Sequence, residues 1–317
     1  MKRKIRLTLK VKMIALFLIV GIIPVVTVSL ISYNQAAKNV QQEVFEKNEL
    51  YQSLVENSFT EYFASAQTYV EVFAKTRDIY QSLNIYYEQN KNTNSKEWLE
   101  RYKILDNLGK YVVEKMQFSY IYIVDNTGKA IYSNDETVVG LDFSDRNYIQ
   151  NALNGVTEWD EMRFSNVSNT TFMAIATPVY ANGVSGEVIG AVACVIGQPM
   201  IDGLVHEHLP VLGETADGYI VNVDGVLLSN TTKGEYQTDA PLNVTLETEL
   251  VEKVKPQIRN ENFDYNEYLL YDSYTGTPVI GNANIVKIGN TTAALITEIS
   301  QEEAFKSLVT MRNAMII

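Results

Sequence analysis

The chain reads as an α+β protein: a membrane-spanning helix, a long helical stalk, and two stacked copies of one module built on an antiparallel sheet. Three observations predict this. An uncharged apolar run near the N-terminus is long enough to cross a bilayer. No glycine lies between Gly21 and Gly109 and no proline between Pro24 and Pro178, so nothing punctuates a helix over the stretch that follows. Beyond Gly109 a strand–turn–strand pattern occurs twice.

The apolar run extends from Met13 to Ile31 without a charged residue, about the twenty residues that a helix needs to span a hydrocarbon core of roughly 30 Å. Lys2, Arg3, Lys4, Arg6, Lys10 and Lys12 precede it. By the positive-inside bias, residues 1–12 are expected to form a cytoplasmic basic tail, 13–31 a transmembrane helix, and 32–310 an extracytoplasmic region of the cell membrane protein. The run exceeds a usual signal-peptide core and no small-residue cleavage pattern follows it, which favours an anchor. The last segment, 301–317, reads as a helix turning apolar, expected to lead into a truncated second span.

Charge narrows the partners. Those six basic residues are among only 26, so the rest of the chain carries 20 basic against 38 acidic side chains. Such a body repels phosphate backbones, and no nucleic acid is expected as a partner. Cys194 is the single cysteine, so no internal disulfide is possible.

Residues 32–109 are expected to form the long stalk helix and a second, shorter helix. From Val40 to Leu83 apolar residues recur at three-, four- and seven-residue steps, with Gln, Glu, Lys and Asn opposite. An unbroken helix from Tyr33 to Tyr87 would span roughly 80 Å at about 1.5 Å per residue, enough to serve two stacked modules and to pair with a twin in a homodimer. The polar run Gln89–Asn94 interrupts it, and Ser95 with Trp98, Tyr102, Leu105 and Leu108 starts the next helix.

The repeat is the most informative feature. Tyr122-Ile-Val-Asp-Asn-Thr-Gly is echoed by Tyr219-Ile-Val-Asn-Val-Asp-Gly, each turn followed by a second apolar run ending in Ser-Asn. The first module, 110–197, is expected to continue with a helix over Asp145–Asn154 and strands near Thr157–Ser165, Phe172–Tyr180 and Glu187–Ile196. A connecting helix over Gln198–Leu209 opens the second module, 198–300, with a helix near Leu246–Lys255 and strands near Tyr265–Tyr271, Pro278–Ile285 and Thr292–Glu298.

Several stretches carry a family resemblance: Ile31-Ser-Tyr-Asn34, Lys75-Thr-Arg-Asp-Ile-Tyr-Gln-Ser-Leu-Asn84, Gly140-Leu-Asp-Phe-Ser-Asp-Arg-Asn-Tyr-Ile149, Ala152-Leu-Asn-Gly155, Thr177-Pro-Val-Tyr180 and Gly186-Glu-Val-Ile-Gly190. Together they resemble the double-Cache extracytoplasmic sensor domains of bacterial methyl-accepting chemotaxis proteins over essentially the whole chain. Sensor kinases and diguanylate cyclases use the same module. The resemblance implies two PAS-like modules stacked on a long helix, a small ligand in the membrane-distal copy, and a role in chemotaxis signal transduction. In amino-acid-binding members an Arg and a nearby Trp hold the ligand carboxylate and an Asp at the end of the last distal strand holds its amino group. Arg146 matches the Arg, Tyr148 stands where the Trp would be, and the strand end at Ala193-Cys194-Val195 is apolar where the Asp is expected. A buried ammonium would lack its counter-charge there, so the implied ligand is an organic acid or an uncharged solute in preference to an amino acid.

Arg146 is therefore the central ligand-binding candidate, able to make paired, charge-assisted hydrogen bonds to a carboxylate, with Tyr148 as a neutral donor close by. The competing role for Arg146 is a structural pair with Asp142 or Asp145. Period-2 alternation would put Trp159, Glu161, Arg163 and Ser165 on one face, so Trp159, Arg163 and Ser165 join the candidates, against the alternative of an outward Glu161–Arg163 ladder. Tyr122 and Thr177 are weaker additions. His206 and His208 point to opposite sides of a helix with no third ligand, which argues against a metal. Cys194 reads as a small buried hydrophobe. No Walker loop, dinucleotide turn, His-Glu-x-x-His or nucleophile elbow occurs, so neither a cofactor nor catalysis is expected. The rivals to a chemoreceptor sensor are the same module on a histidine kinase or diguanylate cyclase, a tethered surface hydrolase, and a purely structural stalk.

Overall fold

The computed structural model describes residues 8–165 and 170–316, so part of the expected basic tail and the last residue lie outside the described residues. It shows an α+β protein with one long N-terminal helix and two antiparallel sheets. Helix α1 runs from Leu9 to Ala74, 66 residues, with a π-helical turn at Leu18–Ile22. By length and composition its N-terminal part suffices to cross a membrane, and Met13, Leu16, Phe17 and Ile19 stand free of the remaining protein.

The helix expected to run unbroken to Tyr87 ends at Ala74 and restarts as α2 at Arg77–Glu88. Neither glycine nor proline causes the break. Thr76 adopts an extended conformation and its hydroxyl donates to the Phe73 carbonyl at 2.8 Å, closing the end of α1. Arg101, from α3 (Lys96–Met116), donates to the Asp78 carbonyl at 2.8 Å and to Ser82 Oγ at 3.0 Å, fixing the new direction. The turn brings Ile79, Leu83 and Tyr86 down onto the first sheet, where they are buried. Helix α3 starts at the Ser95 cap, whose side chain accepts from Trp98 N. It runs past Gly109 to Met116. There glycine serves close approach and not chain punctuation: a Cβ at position 109 would lie 2.2 Å from the Tyr132 hydroxyl oxygen.

The first sheet combines β1 (Tyr120–Asp125), β2 (Ala130–Ser133), β3 (Glu158–Trp159), β4 (Arg163–Ser165), β5 (Thr170–Tyr180) and β6 (Val188–Gly197) in the order β2-β1-β6-β5-β3, with β4 also on β5. Helix α4 (Asn147–Leu153) lies on one face and the stalk on the other. Helix α5 (Gln198–His206) connects to the second sheet of β7 (Asp217–Val221), β8 (Asn266–Asp272), β9 (Pro278–Ile288) and β10 (Thr291–Ser300), ordered β7-β10-β9-β8, with α6 (Glu249–Arg259) on its outer face. Short α7 (Gln301–Ala304) and α8 (Lys306–Ile316) close the chain.

Two strand expectations change. The single strand expected over Thr157–Ser165 is split into β3 and β4, because Asp160 N donates to the Ala174 carbonyl and its carboxylate turns to Arg163. In the second copy of the repeat the strand after the turn shrinks to the isolated bridges Val221–Leu227 and Val226–Thr245.

One continuous core binds both modules to the stalk. Val55, Phe59, Phe63, Ala66, Val70 and Phe73 of α1 pack with Ile121, Ile175 and Cys194 of the first sheet, and the same cluster reaches Ile220, Val286 and Leu295 of the second. The second module sits on the part of α1 nearer its apolar end, where Asn48 accepts from Thr297 at 2.6 Å and Phe45 O accepts from Tyr268 at 3.1 Å.

Candidate functional site

The outer face of the first sheet carries the site. The β1–β2 turn needs Gly128 at φ +88, where an added Cβ would lie 2.8 Å from the Ser144 backbone. Segment 140–146 therefore folds tightly over the hairpin: Phe143 N donates to the Gly128 carbonyl and Ser144 N to Asp142 Oδ1. This crossing delivers Phe143, Arg146 and Tyr148 to one cavity of about 280 Å³. Its other lining residues include Tyr120, Leu141, Arg163, Ser165 and Phe172.

The two arginines differ in availability. Arg163 grips the buried Asp160 with two nitrogens, Nη2 at 3.0 Å, and this pairing holds its guanidinium proton more tightly than usual. Arg146, at the start of α4, meets only the exposed Asp145 among the described residues, at 3.4 Å, longer than a charge-assisted hydrogen bond. Its side chain is 42% exposed and lines the cavity. Behind it the Tyr122 and Tyr148 hydroxyls share a hydrogen bond of 2.6 Å, and burial pushes both phenols up, so they remain neutral donors at physiological pH. Tyr122 stacks on Phe143 with centroids 4.6 Å apart.

Arg146, Tyr148, Arg163 and Ser165 thus meet at one cavity, with Tyr122 bonded directly behind it. Trp159 and Thr177 do not. Trp159 faces the stalk, in edge contact with Phe63 at 4.8 Å, and Thr177 pairs with Thr157 on that same inner face. The alternation that would have placed Trp159 beside Arg163 fails at the β3–β4 break. Cys194 is also on the stalk face, and burial pushes its thiol well up, as an inert thiol requires. Sequence reasoning missed Asp160, Phe143, Phe172 and Tyr120. Asp160 had a usable signal, an acid three residues before Arg163, but only the strand break turns that spacing into a pair. The outer-face strand end is apolar, with Ala191, Ala193 and Val195 all buried there.

Comparison with known proteins places this architecture. The Cache-domain model dCache_1 matches residues 32–308. No curated protein matches the chain. Among solved structures, the extracellular domain of the candidate histidine kinase vpHK1S-Z8 is 15% identical with a TM-score of 0.60, covering 89% of this chain and 99% of that one. The sensor domain of the V. cholerae histidine kinase DctB is 12% identical with a TM-score of 0.55, covering 84% and 98% respectively. The ligand-binding domain of the Campylobacter jejuni chemoreceptor Tlp3, solved with 4-methylisoleucine, is 14% identical with a TM-score of 0.55, covering 84% and 94%. At these identities the likeness is one of fold. With a family match spanning nearly the whole region from the apolar run to the last helix, the chain belongs to the Cache-domain family.

Proposed function

We propose that this chain is the extracytoplasmic small-molecule sensor of a chemoreceptor, binding a small organic acid in the outer cavity of its first module. The observation that carries this reading is the contrast between the two guanidinium groups. Arg163 is neutralised by Asp160, whereas Arg146, with only a long contact to Asp145, lines a cavity whose wall is mostly aromatic and aliphatic, with Asp135 and Asp142 also in it. A carboxylate can bridge Arg146 while its short carbon body rests on Phe143, Tyr120 and Phe172. A volume of about 280 Å³ suits a small solute and not a large ligand. An organic acid is favoured over an amino acid because the buried Asp160 is paired with Arg163, and the wall carboxylates Asp135 and Asp142 each already hold a neighbouring amide, of Thr137 and Ser144.

Signal transmission follows from the shared core. A ligand that shifts α4 or the sheet beneath it moves the inner face on which α1 is packed, and α1 continues into the apolar segment. The ligand biases α1 only by its difference in affinity for the two positions. Pairing of two copies along the open side of α1, where Leu50 and Val72 are exposed, belongs to the same reading. The alternative output is a histidine kinase or diguanylate cyclase, favoured by the fold likeness to histidine-kinase sensors.

A thermal-shift screen of the full chain in lipid discs against small carboxylates, amino acids and neutral solutes tests the site. A saturating carboxylate at about a hundred times its Kd should stabilise the fold by about 2.7 kcal/mol. Arg146→Ala should remove that shift and Arg146→Lys should restore only part of it. A normal carboxylate response in Arg146→Ala would refute the assignment.

A further inference from the structure

The two sheets share one strand plan, so their positions can be matched. The repeat aligns Tyr219 with Tyr122, and hence Asp217 with Tyr120. Tyr120 faces Val195 across β1 and β6, and Asp217 faces Glu298 across β7 and β10. Glu298 therefore holds, in the second module, the strand-end position that is apolar in the first. It is only 3% exposed. It lines a cavity of about 400 Å³ together with Asp217, Lys233, Ser273 and Tyr274, with Glu214 also in the wall.

The hydrogen bonds show which atoms are spent. Glu298 Oε1 accepts from Tyr219 Oη at 2.7 Å and from Tyr271 Oη at 2.5 Å. Asp217 Oδ1 accepts from the Gly218 and Thr232 amides and the Thr232 hydroxyl, and its Oδ2 accepts from Tyr274. Lys233 Nζ is turned to the Glu214 carbonyl at 2.9 Å. Among the described residues, Glu298 Oε2 accepts from nothing. The cavity thus has a buried carboxylate pair in its wall, one open acceptor, and no cation bonded to either carboxylate. Such an arrangement is costly unless a donor, best a charged one, completes it. No group of three His, Cys, Asp or Glu among the described residues could hold a metal.

We infer that this cavity is a second ligand site, in the module nearer the apolar segment, and that it takes a small ammonium-bearing solute whose N–H groups bind Glu298 Oε2. The inference is independent of the Arg146 assignment. Burial pushes the Glu298 carboxyl up to about 7, against the hydrogen bonds of Tyr271 and Tyr219, and with Asp217 adding to the rise. The other charged groups around the cavity and its rim are Lys233, Glu214 and Glu303, the last accepting from the Glu214 and Thr215 amides. When the ammonium enters, a protonated Glu298 loses its proton to solvent, so proton and amine compete and affinity falls as pH drops below about 7.

The test uses the full chain in lipid discs, titrated calorimetrically with ethylammonium and putrescine, with ethanol as a neutral control. Saturable binding of an amine is expected at about pH 8, more than tenfold weaker at about pH 5.5. It should be lost in Glu298→Gln, which keeps the side chain's shape, and retained in Arg146→Ala. Titrating the wild-type protein near neutrality in two buffers of different ionisation heat should reveal proton release, a readout that holds even if Glu298→Gln fails to fold. Absence of saturable amine binding at about pH 8, binding without proton release near neutrality, or unchanged binding in folded Glu298→Gln would each overturn the inference.

Discussion

Tyr120 and Asp217 begin the first strands of two sheets that share the order of their central strands, yet the cavities beside them differ in chemistry. The first offers the Arg146 guanidinium, aromatic rings and an arginine already neutralised, with Asp135 and Asp142 also in its wall. The second offers a buried carboxylate pair ringed by tyrosine hydroxyls. Duplication of a module fixes where a cavity forms, since that follows from strand order and crossing. Single side chains at matched positions, Val195 against Glu298 and Tyr120 against Asp217, then give the two cavities different walls.

The stalk side shows a second contrast. Against the first sheet α1 presents Phe59, Phe63, Ala66 and Val70, all apolar. Against the second it presents Val44, packed with Ile280 and Ile299, but also the buried polar Asn48, which accepts from Thr297, and Gln52. In this seam Gln52 Nε2, Asn282 Oδ1 and Asn284 Oδ1 have no hydrogen-bond partner. An apolar interface with interlocked rings resists sliding, whereas a polar seam with unspent groups has alternative pairings of similar energy.

Four perturbations sharpen these contrasts. Phe59→Ala, in the apolar interface, should cost about 3–5 kcal/mol in denaturant unfolding. Because the core is continuous, the signals of both modules should fall in one transition. Glu298→Gln comes next. A carboxyl raised from its usual 4.5 to about 7 by burial contributes stability that is fully present below the unfolded value and is lost as pH rises through about 7. The wild type should therefore weaken between about pH 5 and pH 8 by an amount on the order of 3 kcal/mol, and the variant should not, as read from thermal midpoints across that range. Asp160→Ala strands Arg163, but that side chain is 37% exposed, so solvent screens much of the penalty; a loss of about 1–2 kcal/mol is expected by chemical denaturation. Arg146→Ala should change unliganded stability by less than about 0.5 kcal/mol, because its one ion pair is long and exposed. A large loss there would make Arg146 a structural residue.

Much of this was legible in the residues. Helical periodicity gave the stalk and the Tyr122/Tyr219 repeat gave two modules, because both depend on local spacing. The α1–α2 turn was not legible, since the direction of α2 is fixed by Arg101 on Asp78, a contact 23 residues apart in the chain. Nor was the β3–β4 break, which moves Trp159 to the stalk face and leaves Arg163 on the cavity. Arg146 and Tyr148 could be named because a family motif carries them. Glu298 could not, because only strand register sets it beside Asp217 and matches it to Val195.

The division of chemistry between the modules is tested most directly by crossed titration. One stabilising carboxylate and one amine would each be titrated into wild type, Arg146→Ala and Glu298→Gln. Carboxylate binding should disappear only in Arg146→Ala and amine binding only in Glu298→Gln. If one variant abolishes both, or neither ligand responds to the variant of its own cavity, the two-site account is contradicted.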